Sequence, residues 1–153
     1  MRNKIIVYAK FGLIFCISLI SIVSIASNSD SQSLLLERTL LFDMGDGGSR
    51  FYRIPAIVTA ADGSLVVVAD RRWDRINDLP SHIDVVARRS EDNGKTWSDV
   101  ITIAGNDTDI GYGDPAIVLD KNTGSLLCIF ASGNGLWQSN EEDLMRIKIS
   151  RSV

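Results

Sequence analysis

Ser90-Glu91-Asp92-Asn93-Gly94-Lys95-Thr96-Trp97 follows directly on the extended run Ile83 to Arg89. Within these eight residues an Asp can accept bonds from backbone N–H groups ahead of it, and Asn93-Gly94 can take the positive φ of a tight hairpin. Trp97 then supplies a large apolar anchor for the strand that returns, expected over Trp97 to Ile103. The stretch is a fold element and carries no chemistry. Its worth lies in what surrounds it.

Around it the chain repeats itself. Pro55-Ala56-Ile57-Val58 recurs as Pro115-Ala116-Ile117-Val118, 60 positions later. Gly63 to Ala69 is echoed by Gly124 to Ala131, and Ile83 to Ser90 by Met145 to Ser152. Three matches in one order argue for a duplicated unit. Each unit reads as antiparallel strands: Ala56 to Ala60, Ser64 to Ala69, Ile83 to Arg89 and the return over Trp97 to Ile103. Helical periodicity is absent outside the first residues. Short four-stranded units in series are what an all-β propeller requires. Leu34 to Phe42 is a further candidate strand, able to close a ring. The second copy breaks off at Val153, inside a hairpin, so the chain is expected to be the N-terminal part of a longer propeller with about two blades.

Residues 1–26 read as a secretory signal peptide. Arg2, Lys4 and Lys10 form a basic n-region, Phe11 to Ile25 is apolar but for serines, and Ser24-Ile25-Ala26 offers a small-x-small cleavage site. An uncleaved anchor is the alternative; lipoprotein processing at Cys16 is disfavoured by bulky Phe15. A polar linker, residues 27–35, leads into the propeller part, 36–153. The expected location is outside the cytoplasm: secreted, periplasmic or at the cell surface. Without residues 1–26 the chain keeps 13 basic and 19 acidic residues, net −6. That balance, with no basic cluster, argues against a nucleic-acid partner. Cys128 sits in an apolar run and reads as a buried thiol, while His82 is the single histidine, so no multi-histidine metal site is available. No metal or cofactor is expected.

Chemistry-bearing residues gather ahead of the first hairpin and after it. In Phe51-Tyr52-Arg53-Ile54-Pro55 an Arg precedes an X-Pro step, which favours extended backbone and lets Arg53 project from a strand end. Asp70-Arg71-Arg72 comes as the hairpin returns, followed by a loop, Trp73 to Pro80, that holds Asp78. Both hairpin strands end on the same side, so Arg53 and Arg72 can face one cleft and grip a carboxylate through their forked donors. Spacing alone does not separate this from a solvated charged loop.

The eight-residue stretch has the S-x-D-x-G-x-T-W pattern of the Asp box, carried here by Ser90, Asp92, Gly94, Thr96 and Trp97. With the Tyr52-Arg53-Ile54-Pro55 motif, the Asp-Arg-Arg strand end and the Asp-containing loop, the chain resembles the start of a bacterial exo-α-sialidase, from about Leu36 to Val153. The resemblance implies a six-bladed β-propeller and hydrolysis of terminal sialic acids from glycans, with sialylated glycans as partners. It implies that Arg53 holds the sialic acid carboxylate, that Arg72 binds near the C4 side of the sugar (Arg71 competes for that place), and that Asp78 is the general acid/base. Asp114, in Gly113-Asp114-Pro115, falls where family members contact substrate, although a turn Asp before Pro reads equally well. Asp78 would need an apolar wall, such as Leu79 or Trp73, to hold a proton. The family's nucleophilic Tyr, its assisting Glu and two further arginines belong to later blades, so a protein ending at Val153 is expected to be inactive. Tyr52 and Tyr112 belong to blade-entry motifs. A non-catalytic Asp-box propeller that binds glycans or proteins is the alternative. A propeller glycosidase for neutral sugars leaves Arg53 and Arg72 without a role.

Overall fold

A computed structural model describes residues 36–105, 107–108 and 110–152. The expected signal peptide and linker lie outside them. From Arg38 onward the chain forms one compact unit. A 3-10 turn, Asp46–Gly48, precedes the strands β1 (Phe51–Thr59), β2 (Leu65–Arg72), β3 (Ile83–Ser90), β4 (Ile101–Ala104), β5 (Gly111–Leu119), β6 (Leu126–Gly133) and β7 (Arg146–Arg151). One helical turn, α1 (Gly135–Gln138), lies between β6 and β7. The strands form two antiparallel sheets, ordered β1-β2-β3-β4 and β5-β6-β7. No helix among the described residues is long and apolar enough to cross a membrane.

The sequence repeat is a repeat of register. Ala56 pairs with Val68 and Val68 with Ala87; in the second sheet Ala116 pairs with Ile129 and Ile129 with Ile149. Each pairing slips at the same place, between Arg53 and Ala56 and between Gly113 and Ala116. The residue before proline explains the slip: Ile54 has φ 54° and Asp114 φ 56°. The extended backbone expected ahead of Pro55 is therefore replaced by a left-handed step that makes a β-bulge. A non-glycine residue held there costs about 1–3 kcal/mol, a strain that both sheets carry.

Period-two alternation places the core between the sheets. Val66, Val68, Val85 and Ala87 are buried against Cys128 and Phe130, with Ala56, Val58, Tyr112, Ile117 and Leu126 packed around them. Tyr112 meets Phe130 edge-on, ring centroids 5.8 Å apart. By register, the counterparts of Val66, Val68, Val85 and Ala87 in the second sheet are Leu127, Ile129, Ile147 and Ile149. Ile147 and Ile149 are 67% and 58% exposed. The second sheet thus turns outward an apolar face like the one the first sheet buries, which is the stacking logic of propeller blades.

Two expected strands differ. Residues 36–42 form no strand; Leu41 and Phe42 instead lie beside Val67 and Ala69 on the far face of the first sheet, and Phe42 stacks on Tyr52 at 5.0 Å. The return strand starts at Ile101 rather than Trp97. Ser98 takes up the ladder locally, its hydroxyl accepting from Arg89 N at 3.0 Å while its own N–H donates to Arg89 O at 2.8 Å.

The turn at Ser90 to Trp97 is built from side-chain bonds. Asp92 accepts from Thr96 N at 2.8 Å, Thr96 Oγ1 at 2.6 Å and Ser90 Oγ at 2.9 Å. Gly94 N donates to Ser90 Oγ at 2.8 Å, and Trp97 Nε1 to Gly94 O at 3.1 Å. Asn93 and Gly94 take φ 61° and 88°. The bonds from Thr96 hold the Asp92 carboxyl down at about 2. Trp97 is half-buried, less of an anchor than expected.

Candidate functional site

Strand register sets the site at the end of the first sheet remote from this turn. Leu65 pairs with Ser90 at one end and Arg72 with Ile83 at the other, roughly 23 Å apart at the rise of a strand. Arg53 pairs with Asp70, so Arg53, Asp70 and Arg72 share one face of the sheet. The structure brings Arg53, Arg72 and Asp78 together there. Arg72 Nη2 lies 2.8 Å from Asp78 Oδ1, and Arg53 Nη1 lies 3.6 Å from the same oxygen. Both arginines also donate to the carbonyl oxygen of Ile76, at 3.3 Å from Arg53 and 2.5 Å from Arg72.

The two arginines differ in access. Arg53 has a side chain 42% exposed, whereas Arg72 is 1% exposed under the loop of residues 73–82. Arg72 Nε and Nη2 donate to Asp70 Oδ2 at 3.2 and 2.7 Å. Burial opposes the charge on Arg72, but Asp70 and Asp78 outweigh it and keep the guanidinium above its ordinary pKa. Arg71, the competitor by sequence, points to the other face. It donates to Asp84 Oδ2 at 2.6 Å and lies over the Trp73 ring at 4.4 Å.

The apolar wall expected for Asp78 is only partly present. Its side chain is 71% exposed. Trp73 is engaged elsewhere, stacked on His82 at 5.3 Å with Nε1 donating to Asp84 at 2.9 Å. Leu79 does stand beside Asp78, and α1 adds Trp137, so that Asn77, Asp78, Leu79, Pro80, Trp137 and Gln138 line an open cleft of about 460 Å³. Gly135 makes that junction close, since a Cβ there would overlap the Leu79 carbonyl oxygen.

Asp114 reaches the site through its backbone. Its N–H donates to Asp70 Oδ1 at 2.9 Å, and its side chain is exposed. Asp70 itself is fully buried. Burial pushes its carboxyl up to about 6, against the pull of Arg72. No role was read for Asp70 in the sequence, although the alternation Asp70-Arg71-Arg72 already puts it on the face of Arg72. Trp137 and the Ile76 carbonyl had no such signal, because both depend on loop closure.

The two tyrosines among the described residues are committed to structure. Tyr52 donates to Asp46 O at 2.9 Å on the far face, with burial raising its pKa, and Tyr112 lies beneath Lys148 Nζ at 4.9 Å. Burial pushes the Cys128 thiol up to about 11, leaving it a poor nucleophile. Among the described residues no group of three or more His, Cys, Asp or Glu side chains could hold a metal ion.

No protein-family model matches the chain. It is 35% identical over 99 residues to a sialidase of Bacteroides fragilis, covering 60% of this chain and 18% of that protein. It is 33% identical over 116 residues to a sialidase of Paraclostridium sordellii, covering 71% and 28%. A sialidase of Clostridium perfringens is 32% identical over 121 residues, with 76% and 30% covered. The chain thus spans less than a third of the length of these curated relatives. Among solved structures, the Hadza microbial sialidase Hz136 superposes with a TM-score of 0.65 at 30% identity, over 71% of this chain and 25% of that one. A Streptococcus pneumoniae sialidase, at 24% identity, shares the fold with a TM-score of 0.60, over 67% of this chain and 19% of its own. With two propeller-type sheets in matching register, the chain is similar to sialidases over part of their length.

Proposed function

We propose that the chain supplies one side of the active site of an exo-α-sialidase, which releases terminal sialic acid from glycans with retention. The observation that carries this reading is the convergence of Arg53 and Arg72 on one oxygen of Asp78. Guanidinium forks suit a carboxylate, and sialic acid carries one on its anomeric carbon. That charge would repel a carboxylate nucleophile, so sialidases use tyrosine and depart from the two-carboxylate pattern of other glycosidases. Here Arg53, the more exposed arginine, takes the substrate carboxylate, and Asp78 serves as acid/base. Guanidinium N–H groups only donate. Both contacts fall on Asp78 Oδ1, so Oδ2 is the oxygen that can carry a proton to the leaving oxygen while Oδ1 stays with the arginines. Arg72, whose donors go mainly to Asp70, Asp78 and Ile76, borders the sugar beside Asp78. Asp114 stands at the rim. The Ser90 to Trp97 turn acts as an Asp box, bracing the blade at its far end.

Neither described tyrosine faces Asp78, so the nucleophile comes from outside this segment and the 153-residue chain alone gives no turnover. We also propose export, supported by the basic and apolar opening of the sequence. The test is release of free sialic acid from a fluorogenic sialoside by the protein in which this segment is joined to a complete propeller. Asp78→Ala should abolish most turnover, and Arg53→Ala most affinity. Wild-type rates in both variants would refute the assignment.

A further inference from the structure

The proposed reaction leaves the buried Asp70 unused. Asp70 sits at the boundary of the two sheets, with one oxygen on each side of it. Oδ2 takes Arg72 Nε and Nη2 at 3.2 and 2.7 Å, and Oδ1 takes the Asp114 N–H at 2.9 Å. That N–H is available because Asp114 has the left-handed φ of 56°. Gly113 borders the carboxylate as well, since a Cβ there would meet both Asp70 oxygens in ordinary contact at 3.5 Å. The other charged groups around Asp70 are Arg53, opposite it on β1, the Asp114 carboxylate, and Asp78 through Arg72; β3 presents uncharged Val85.

We propose that Asp70 is a positioning residue that makes the orientation of Arg72 depend on the bulge of the neighbouring blade. A guanidinium gripped through Nε and Nη2 has its plane fixed. Arg72 can then present Nη1 and the rest of Nη2 only towards Ile76 and Asp78. The bulge at Asp114, in turn, is held by the same carboxylate. The two candidate substrate contacts thereby move as one unit. A charge on Asp70 that burial disfavours gives the unit a proton dependence: protonation removes an acceptor site from Arg72 and weakens both bonds together.

The role in catalysis rests on the sialidase reading; the coupling does not. It can be measured on the 153-residue chain by following the Arg72 Nε–H and Asp114 N–H resonances of 15N-labelled protein across the pH range either side of 6. The expected result is a single shared midpoint. Separate midpoints, or no dependence in either, would overturn the coupling. Asp70→Asn separates the two bonds, because one amide oxygen replaces two carboxylate oxygens and can face only one of the two donors. In that variant both resonances should stop titrating and only one of them should keep its bonded shift. If the variant fails to fold, the wild-type titration still decides the matter. In the complete sialidase, Asp70→Asn should raise KM about tenfold, with kcat within about threefold. An unchanged KM would overturn the positioning role. Absence of sialoside turnover in the wild-type enzyme would instead count against the proposed function, leaving the titration to judge Asp70.

Discussion

Arg53 and Arg72, on paired strands of one hairpin, donate to the same acceptor, the carbonyl oxygen of Ile76, at 3.3 and 2.5 Å. Two like charges so close need an anion or a dipole between them. The loop of residues 73–82 supplies both, a carbonyl from Ile76 and a carboxylate from Asp78. Its anchoring to the arginines is what brings Asp78 to the strand ends.

Truncating the more exposed arginine should weaken binding more than chemistry. In the complete enzyme, Arg53→Ala is expected to raise KM for a sialoside about 10²-fold, the usual scale for losing one partner of a charged pair. Steady-state kinetics at fixed pH measure it. A KM unchanged beside a reduced kcat would place Arg53 elsewhere in the mechanism.

Gly135 should not tolerate a side chain. It has φ 74°, and an added Cβ would overlap Leu79 O, next to Asp78. Gly135→Ala is expected to destabilise the fold by about 2 kcal/mol or more and to lower kcat by displacing the Asp78 loop. Chemical denaturation and turnover read the two effects separately.

Two carboxyls give opposite pH signatures. Burial holds the Asp70 carboxyl at about 6 in the fold, above the ordinary 3.8. The folded state then binds the proton more tightly than the unfolded one, so this group's contribution falls by about 3 kcal/mol as pH rises from about 4 to about 6. Asp70→Asn should flatten that slope in urea denaturation.

For Asp92 the sign reverses. Bonds from Thr96 hold its carboxyl at about 2, so its stabilisation is present above about pH 4 and lost as pH falls towards 2. Asp92→Asn should remove this acid-side loss and lower the melting temperature at neutral pH, with kcat unchanged because the turn lies at the far end of the blade.

Much of this architecture was legible beforehand because strands obey a period of two. The Pro-Ala-Ile-Val repeat marked β1 and β5, whereas Arg71 stayed a competitor of Arg72 until the strand register put it on the other face. What escaped depends on tertiary context. The step before Pro55 was read as extended, yet Ile54 turns left-handed, as Asp114 does before Pro115, since the bulge and not the dipeptide sets that conformation. Residues 36–42 have strand-like composition but no ladder partner among the described residues, so they pack through Leu41 and Phe42 instead. The distance between Trp73 and Asp78 likewise follows from the stack on His82, a contact no local pattern encodes.

General-acid catalysis by Asp78 can be isolated by changing the leaving group. The complete enzyme and its Asp78→Ala variant should be compared on sialyllactose, whose leaving alcohol needs a proton, and on an aryl sialoside, whose leaving phenolate does not. The account predicts that Asp78→Ala slows sialyllactose by about 10²–10⁴-fold and the aryl substrate far less. An equal loss on both substrates, or none on either, would contradict it.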